Sequence, residues 1–233
     1  MRRVPRPVLF GAAGIVVVVL LAVASLAHSG RDRTTAAPAA RATATGSATP
    51  TWIGPTPPGV DAALIRGRPS APVMIVEFGD YQCPKCGEFA RGIEPELIRK
   101  YVDTGVARIA WRDFPFYGKE SVRAAVAARA AGQQGRYWAF HDALYAHQFP
   151  VRSGHLTGAY LRGVARRAGL DLGRYDAAVA GPGTRAKVEG DYQFGQGLGV
   201  PGTPAFLING EPFFGAQTMS AFTTAIEKAR KEA

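Results

Sequence analysis

An α/β domain interrupted by a block of helices is the fold class this sequence predicts. A short β-rich apolar run, PVMIVEF at 72–78, ends at Gly79 and is followed by a helical pattern and a second strand-like run. Five helix-like segments divided by glycine and proline then occupy about 119–198. Beyond them, PAFLINGEPFFG at 204–215 sets two short strands around Asn209-Gly210, the strongest short hairpin signal in the chain.

Taken in order, the elements begin with a segment unlike the rest. Residues 8–27, VLFGAAGIVVVVLLAVASLA, carry no charge, and as a helix they extend about 30 Å, the thickness of a bilayer's hydrocarbon core. No polar face exists to meet solvent, so a buried helix of a soluble core is a poor alternative. Arg2, Arg3 and Arg6 precede the segment and place the N-terminus in the cytoplasm, with everything after residue 28 outside; Arg31 and Arg33 on the far side weaken that asymmetry. A cleavable signal peptide has the same polarity, and the small-residue triplets 22–24 and 25–27 offer cleavage sites. The length of the apolar stretch favours a single-pass membrane anchor; if 1–27 are removed, the domain is secreted. In both cases it works outside the cytoplasm, where disulfides persist.

Residues 29–60 are rich in Ala, Thr, Pro, Ser and Gly and bury too little to fold, so they read as a flexible linker. Such a coil averages on the order of 30 Å end to end. The folded part is expected at 61–233. Its first strand is 72–78, buried on both faces by its continuous apolar character. The helix that follows starts at the cysteines: Pro84 suits a first-turn position, and Pro95 predicts a kink. VARIAWRDF at 106–114 reads as the second strand. The closing helix, 218–233, has its basic residues late, where the helix dipole favours them.

Composition limits the function classes. Hydrophobic residues at 47% and aromatics at 10% are ample for a packed core. The net charge of +10 is shared: six Arg and one Asp lie in 1–60, leaving 22 basic against 17 acidic residues for 61–233. That is an ordinary basic surface without runs of Lys/Arg interleaved with aromatics, so no nucleic-acid partner is expected.

The two cysteines, Cys83 and Cys86, stand in EFGDYQCPKCG at 77–87 and admit three readings: a metal site, a structural bridge, or a redox pair. Structural zinc requires four ligands, and His28, His141, His147 and His155 have no finger-like spacing to the pair, so no metal is expected; Asp113, Asp142 and Asp176 read as caps or solvated charges. A bridge between Cys83 and Cys86 closes a tiny loop and removes little entropy from the unfolded chain. A redox pair explains the placement better, because unpaired N–H groups at a helix start stabilise a thiolate. Cys83 is then the exposed attacking sulfur and Cys86 the resolving one. Lys85 either adds positive charge near the sulfur or points to water. Glu77, six residues earlier in an apolar strand, is costly to ionise there and suits the exchange of a proton with Cys86; a solvent-facing strand end is the alternative.

Three stretches together resemble one family. VMIVEFGDYQCPKCGEF, WRDFPFYGKES followed by AAGQQGRYWAFHDALYAHQ, and LGVPGTPAFLINGEPFFGAQ are similar to the DsbA-like thiol-disulfide oxidoreductases, in their membrane-anchored bacterial branch. The resemblance covers about 61–233. It implies a thioredoxin fold with an inserted helical domain, a redox-active Cys83–Cys86 disulfide without any other cofactor, Cys83 as nucleophile, Cys86 as its partner and Glu77 as the buried acid. It matches Thr203-Pro204 to the cis-proline loop that faces the disulfide and binds extended peptide. It further implies reduced or unfolded secreted proteins as substrates and a quinone-linked membrane reoxidase as partner. The dipeptide Pro84-Lys85 departs from the Pro-His of the best-known enterobacterial oxidants, so redox strength does not carry across. A disulfide donor is the expectation, with a reductase or isomerase, or a non-catalytic tethered peptide-binding module, as alternatives. Isomerases of this family dimerise through an added domain; none is seen before residue 61, so a monomer is expected.

Overall fold

The computed structural model of this chain describes residues 59–233. The apolar segment 8–27 and nearly all of the linker lie outside the described residues. Among those that are described, no helix is long and apolar enough to cross a membrane.

A five-stranded sheet in the order β1-β3-β2-β4-β5 organises the domain. Its centre is β2, Val73–Gly79, which pairs in parallel with β3, Ala107–Asp113, and antiparallel with β4, Ala205–Ile208. Both faces of β2 are covered, as its uninterrupted apolar run predicts. Val73 and Ile75 pack with Phe89, Leu97, Phe206 and Phe222 on one side; Met74, Val76 and Phe78 pack with Ala110, Phe114 and Ala205 on the other. Gly79 ends the strand against the Trp111 ring, where a Cβ would come within 2.2 Å of ring carbon. The close approach of backbone to indole requires a glycine at this position.

The hairpin β4–β5, with β5 at Glu211–Phe214, turns through Asn209 (φ 47°) and Gly210 (φ 93°), the positive-φ pair that an Asn-Gly turn supplies. Asn209 also pins the hairpin to β2, accepting from Met74 N at 2.7 Å and donating to Pro72 O at 3.2 Å. Helix α8, Met219–Lys231, buries Phe222 and Ile226 beneath the sheet.

Between β2 and β3 the chain forms one helical crossover: α1 (Pro84–Glu88), a π-helical turn (Phe89–Ile93), α2 (Glu94–Leu97) and a second π turn (Ile98–Val102). The interruption expected at Pro95 is the wider π turn just before it, which accommodates a residue lacking an N–H without breaking the helix.

Five helices separate β3 from β4: α3 (Lys119–Gly132), α4 (Tyr137–Ala146), α5 (Gly158–Arg167), α6 (Leu172–Ala180) and α7 (Pro182–Gly197). This is the expected helical insertion in a thioredoxin-like sheet. It docks through a buried ion network: Arg129 of α3 binds Asp113 at the end of β3 and Asp191 of α7, while Arg112 Nη1 lies 2.5 Å from Asp191 Oδ1. Asp113 is therefore not a solvated charge, as its position in sequence led one to expect. It is buried and also accepts from Trp111 Nε1 at 2.8 Å. Asp176 pairs with Arg162 on the surface. The two-residue edge strand β1, Ile65–Arg66, was not foreseen; it is too short to leave an alternation in the sequence.

Candidate active site

The loop 80–83 aims the first cysteine. Asp80 Oδ1 accepts from Gln82 N at 2.8 Å and its carbonyl accepts from Cys83 N at 2.9 Å, a side-chain-supported turn that delivers Cys83 to the N-cap of α1 with Pro84 in its first turn. The insertion grips this loop from outside. Tyr145 donates to Asp80 O at 3.0 Å, and Gln148 Nε2 donates to Tyr81 O at 3.1 Å and Cys83 O at 2.8 Å. Gln82 bonds Ser121, and Tyr117 N donates to the second Asp80 oxygen. Sequence reasoning missed these positioning residues; the Asp-x-x-Cys spacing of a turn was the one local signal.

Both cysteines are free thiols. Thr203-Pro204, 120 residues away in sequence, lies directly on Cys83: the peptide bond is cis, and Cys83 Sγ donates to Thr203 O at 3.1 Å. Cys83 is consequently only 1% exposed, against the expected exposed sulfur. The Thr203 carbonyl, which accepts from Cys83 Sγ, lies over it.

The electrostatics of the two thiols diverge. A hydrogen bond from the Cys86 thiol draws the Cys83 pKa down to about 6 against the opposing effect of burial, and the Thr203 side chain and the backbone N–H groups of Cys86 and Lys85 assist. Cys86 N–H lies 3.4 Å from Cys83 Sγ. Burial, followed by the Cys83 sulfur, pushes the Cys86 thiol well above its ordinary value. Lys85 acts through its backbone: its ammonium pairs with Glu88 at 2.6 Å on the surface. Alkylation of the reduced chain with iodoacetamide is expected to follow a single ionisation near pH 6 at Cys83, with Cys86 inert through pH 8. A midpoint near that of a free thiol, about 8.5, would show that the site does not stabilise the thiolate.

Glu77 lies on the face of β2 shared with Ile75, opposite Trp111 of β3, and is 1% exposed. This removes the solvent-facing alternative. Burial first, then the charges of Glu94 and Cys83, hold its carboxyl well above the carboxylate range. His141 is wholly buried between Trp111, Tyr81 and Tyr145. Glu94, His141 and Asp142 bring one ligand-type atom each within 4.8 Å of one another. Arg66 supplies positive charge there, 2.8 Å from Asp142 and 3.9 Å from Glu94, so the three groups form an ion-paired cluster with it.

The comparisons with known proteins agree with this geometry. A thioredoxin family model, Thioredoxin_4, matches residues 60–228. A probable disulfide bond formation protein D of Bacillus cereus is 30% identical over 148 residues, covering 62% of this chain and 68% of that protein. The Na(+)/H(+) antiporter NhaA 1 of Salinispora arenicola is 36% identical over 171 residues, or 72% of this chain; the chain spans only 25% of the length of that curated relative. Among solved structures, oxidised BdbD from Bacillus subtilis superposes with a TM-score of 0.71 at 25% identity, covering 78% of this chain and 98% of BdbD.

Proposed function

This chain belongs to the thioredoxin family, among its DsbA-like thiol-disulfide oxidoreductases, and from that premise we propose that it donates the Cys83–Cys86 disulfide to folding secreted proteins outside the cytoplasm. The observation that carries the oxidant direction is the split between the two thiols: Cys83 is drawn down to about 6 while Cys86 is pushed up. A site that stabilises the Cys83 thiolate favours its own reduced form and so releases the disulfide readily to substrate.

A substrate thiolate attacks Cys83 Sγ, the Cys83–Cys86 bond breaks, and Cys86 leaves as a thiolate that takes a proton from Glu77. A second substrate thiolate then attacks the substrate sulfur of the mixed disulfide and expels Cys83 as a thiolate. Two electrons pass from substrate to the pair. The backbone of Thr203, beside Cys83 Sγ, pairs with the extended substrate strand. A quinone-linked membrane partner accepts the electrons and restores the disulfide, and residues 8–27 hold the domain near it. A reductase or isomerase would run the same exchange in reverse, which a stabilised Cys83 thiolate disfavours.

Oxidative refolding tests this directly. The oxidised full chain, mixed with a reduced and unfolded two-disulfide protein, is expected to speed recovery of the native fold, and Cys83→Ala to give no acceleration above air. Equal refolding by the two forms would overturn the proposal.

A further inference from the structure

Glu77 exchanges a proton with Cys86 in each half-cycle, yet it is buried and touches no solvent. Its Oε2 has no hydrogen-bond partner among the described residues. Two other buried titratable groups share this property, Glu94 Oε1 and His141 Nε2. Unsatisfied buried polar atoms are costly and rare in folded proteins, so three of them on neighbouring acid–base groups call for a physical account.

Their positions form a series from the sulfurs outward. Glu77 stands opposite Trp111 in the sheet register, within electrostatic reach of both thiols and of Glu94. The Trp111 ring is 5.0 Å from the His141 ring, and Tyr81 and Tyr145 wall the same space. Glu94, 2% exposed, projects from α2 toward His141 and Asp142 of α4. His141 Nδ1 lies 2.9 Å from Asp142 Oδ1; a carboxylate only accepts, so Nδ1 carries the hydrogen and holds the two side chains together. Asp142 is half exposed and binds Arg66, which stacks on Trp138 at 4.4 Å. A cavity of about 410 Å³, lined by Arg66, Glu94, Pro95, Asp142 and Tyr145 among others, opens this end to water.

We propose that Glu94 carries protons between Glu77 and the Asp142–Arg66 surface cavity, which makes Glu94 a positioning residue for the proton that Cys86 gains and loses. The proposal rests on the oxidoreductase reading above. When Cys86 leaves the disulfide as a thiolate, the Glu77 carboxyl gives up its proton to that sulfur. Glu94 returns a proton to Glu77, and water in the cavity, which Glu94 lines, restores Glu94. Reoxidation runs the transfer outward, so no net charge builds up beneath the helix. The groups facing this path are Cys83, Cys86, Tyr81 and Tyr145 around Glu77, and Arg66, His141 and Asp142 around Glu94. Burial holds the Glu94 carboxyl above its ordinary range despite His141 and Arg66. By contrast, the hydrogen bond from His141 and the contact with Arg66 outweigh burial and keep Asp142 below its own. Protons are thus held inside and released at the rim.

Rapid-mixing reduction of the oxidised full chain by dithiothreitol, followed through tryptophan fluorescence, tests this. Glu94→Gln is expected to slow reduction by roughly tenfold or more, within the range that a lost general acid costs. It is expected to enlarge the solvent deuterium effect and to regain speed as small carboxylic acid buffer enters the cavity. Glu94→Asp should recover part of the rate without buffer. A role confined to holding α4 in place predicts none of the buffer rescue. Wild-type rates in Glu94→Gln, or a slow rate indifferent to buffer, would overturn the relay. If the wild-type chain itself fails to exchange with dithiothreitol, the oxidoreductase reading falls instead.

Discussion

Replacing Arg129 with methionine is expected to cost the folded domain roughly 3–5 kcal/mol at neutral pH, the range for removing one partner of a buried ion pair. Arg129 holds Asp113 and Asp191 at once, and all three are buried. Its removal leaves two carboxylates in the interior with Arg112, 2.5 Å from Asp191, as the remaining counter-charge. The main-chain bond from Asp113 N to Asp191 Oδ2, at 3.1 Å, keeps the two acids together after the substitution, so repulsion adds to desolvation. Urea unfolding of wild type and variant measures the loss. The deficit should shrink toward acid pH, where protonation removes the stranded charge, and a second substitution, Asp113→Asn, should recover part of it. A loss below about 1 kcal/mol, typical of surface pairs, would mean the network does not fasten the insertion to the sheet.

Poised against glutathione buffers from pH 5 to 8, the cysteine pair is expected to change its proton stoichiometry near pH 6. Below that point both thiols of the reduced form are protonated, and reduction takes up two protons with its two electrons. Above it Cys83 is a thiolate and only Cys86 takes one, since its pKa is pushed up. For a two-electron couple each proton shifts the potential by about 30 mV per pH unit, so the slope falls from about 59 to about 30 mV. The sign follows from linkage: the folded pKa of Cys83 is depressed, so its contribution to the reduced state is present at higher pH and is lost as pH falls through 6. An unbroken slope of about 59 mV through pH 8 would mark Cys83 as an ordinary thiol.

Much of the fold was legible because its signals are local. The VMIV run announced a strand covered on both faces, Asn209-Gly210 announced its own turn, and glycine and proline divided the helices of the insertion. Pro84 beside the first cysteine fixed where the helix begins. What the sequence hid depends on partners distant along the chain. Asp113 meets Arg129 and Asp191 only in space, and His141 lies inside an aromatic cage that no spacing reveals. The cover over Cys83 comes from Thr203, and the grip on its loop from Tyr145 and Gln148, none of which is sequence-adjacent. β1 was lost for a different reason, having two residues and therefore no period.

The five-helix interruption between β3 and β4 also governs when the chemistry switches on. Ile75 must find Ile208 before the central sheet is whole, and closing so large a loop is slow relative to helix formation. Until that closure, Cys83 lacks the Thr203 carbonyl that lies over it in the folded domain. Contact between Cys83 and position 203 therefore arrives with completion of the sheet, later than the local helix start that carries both cysteines.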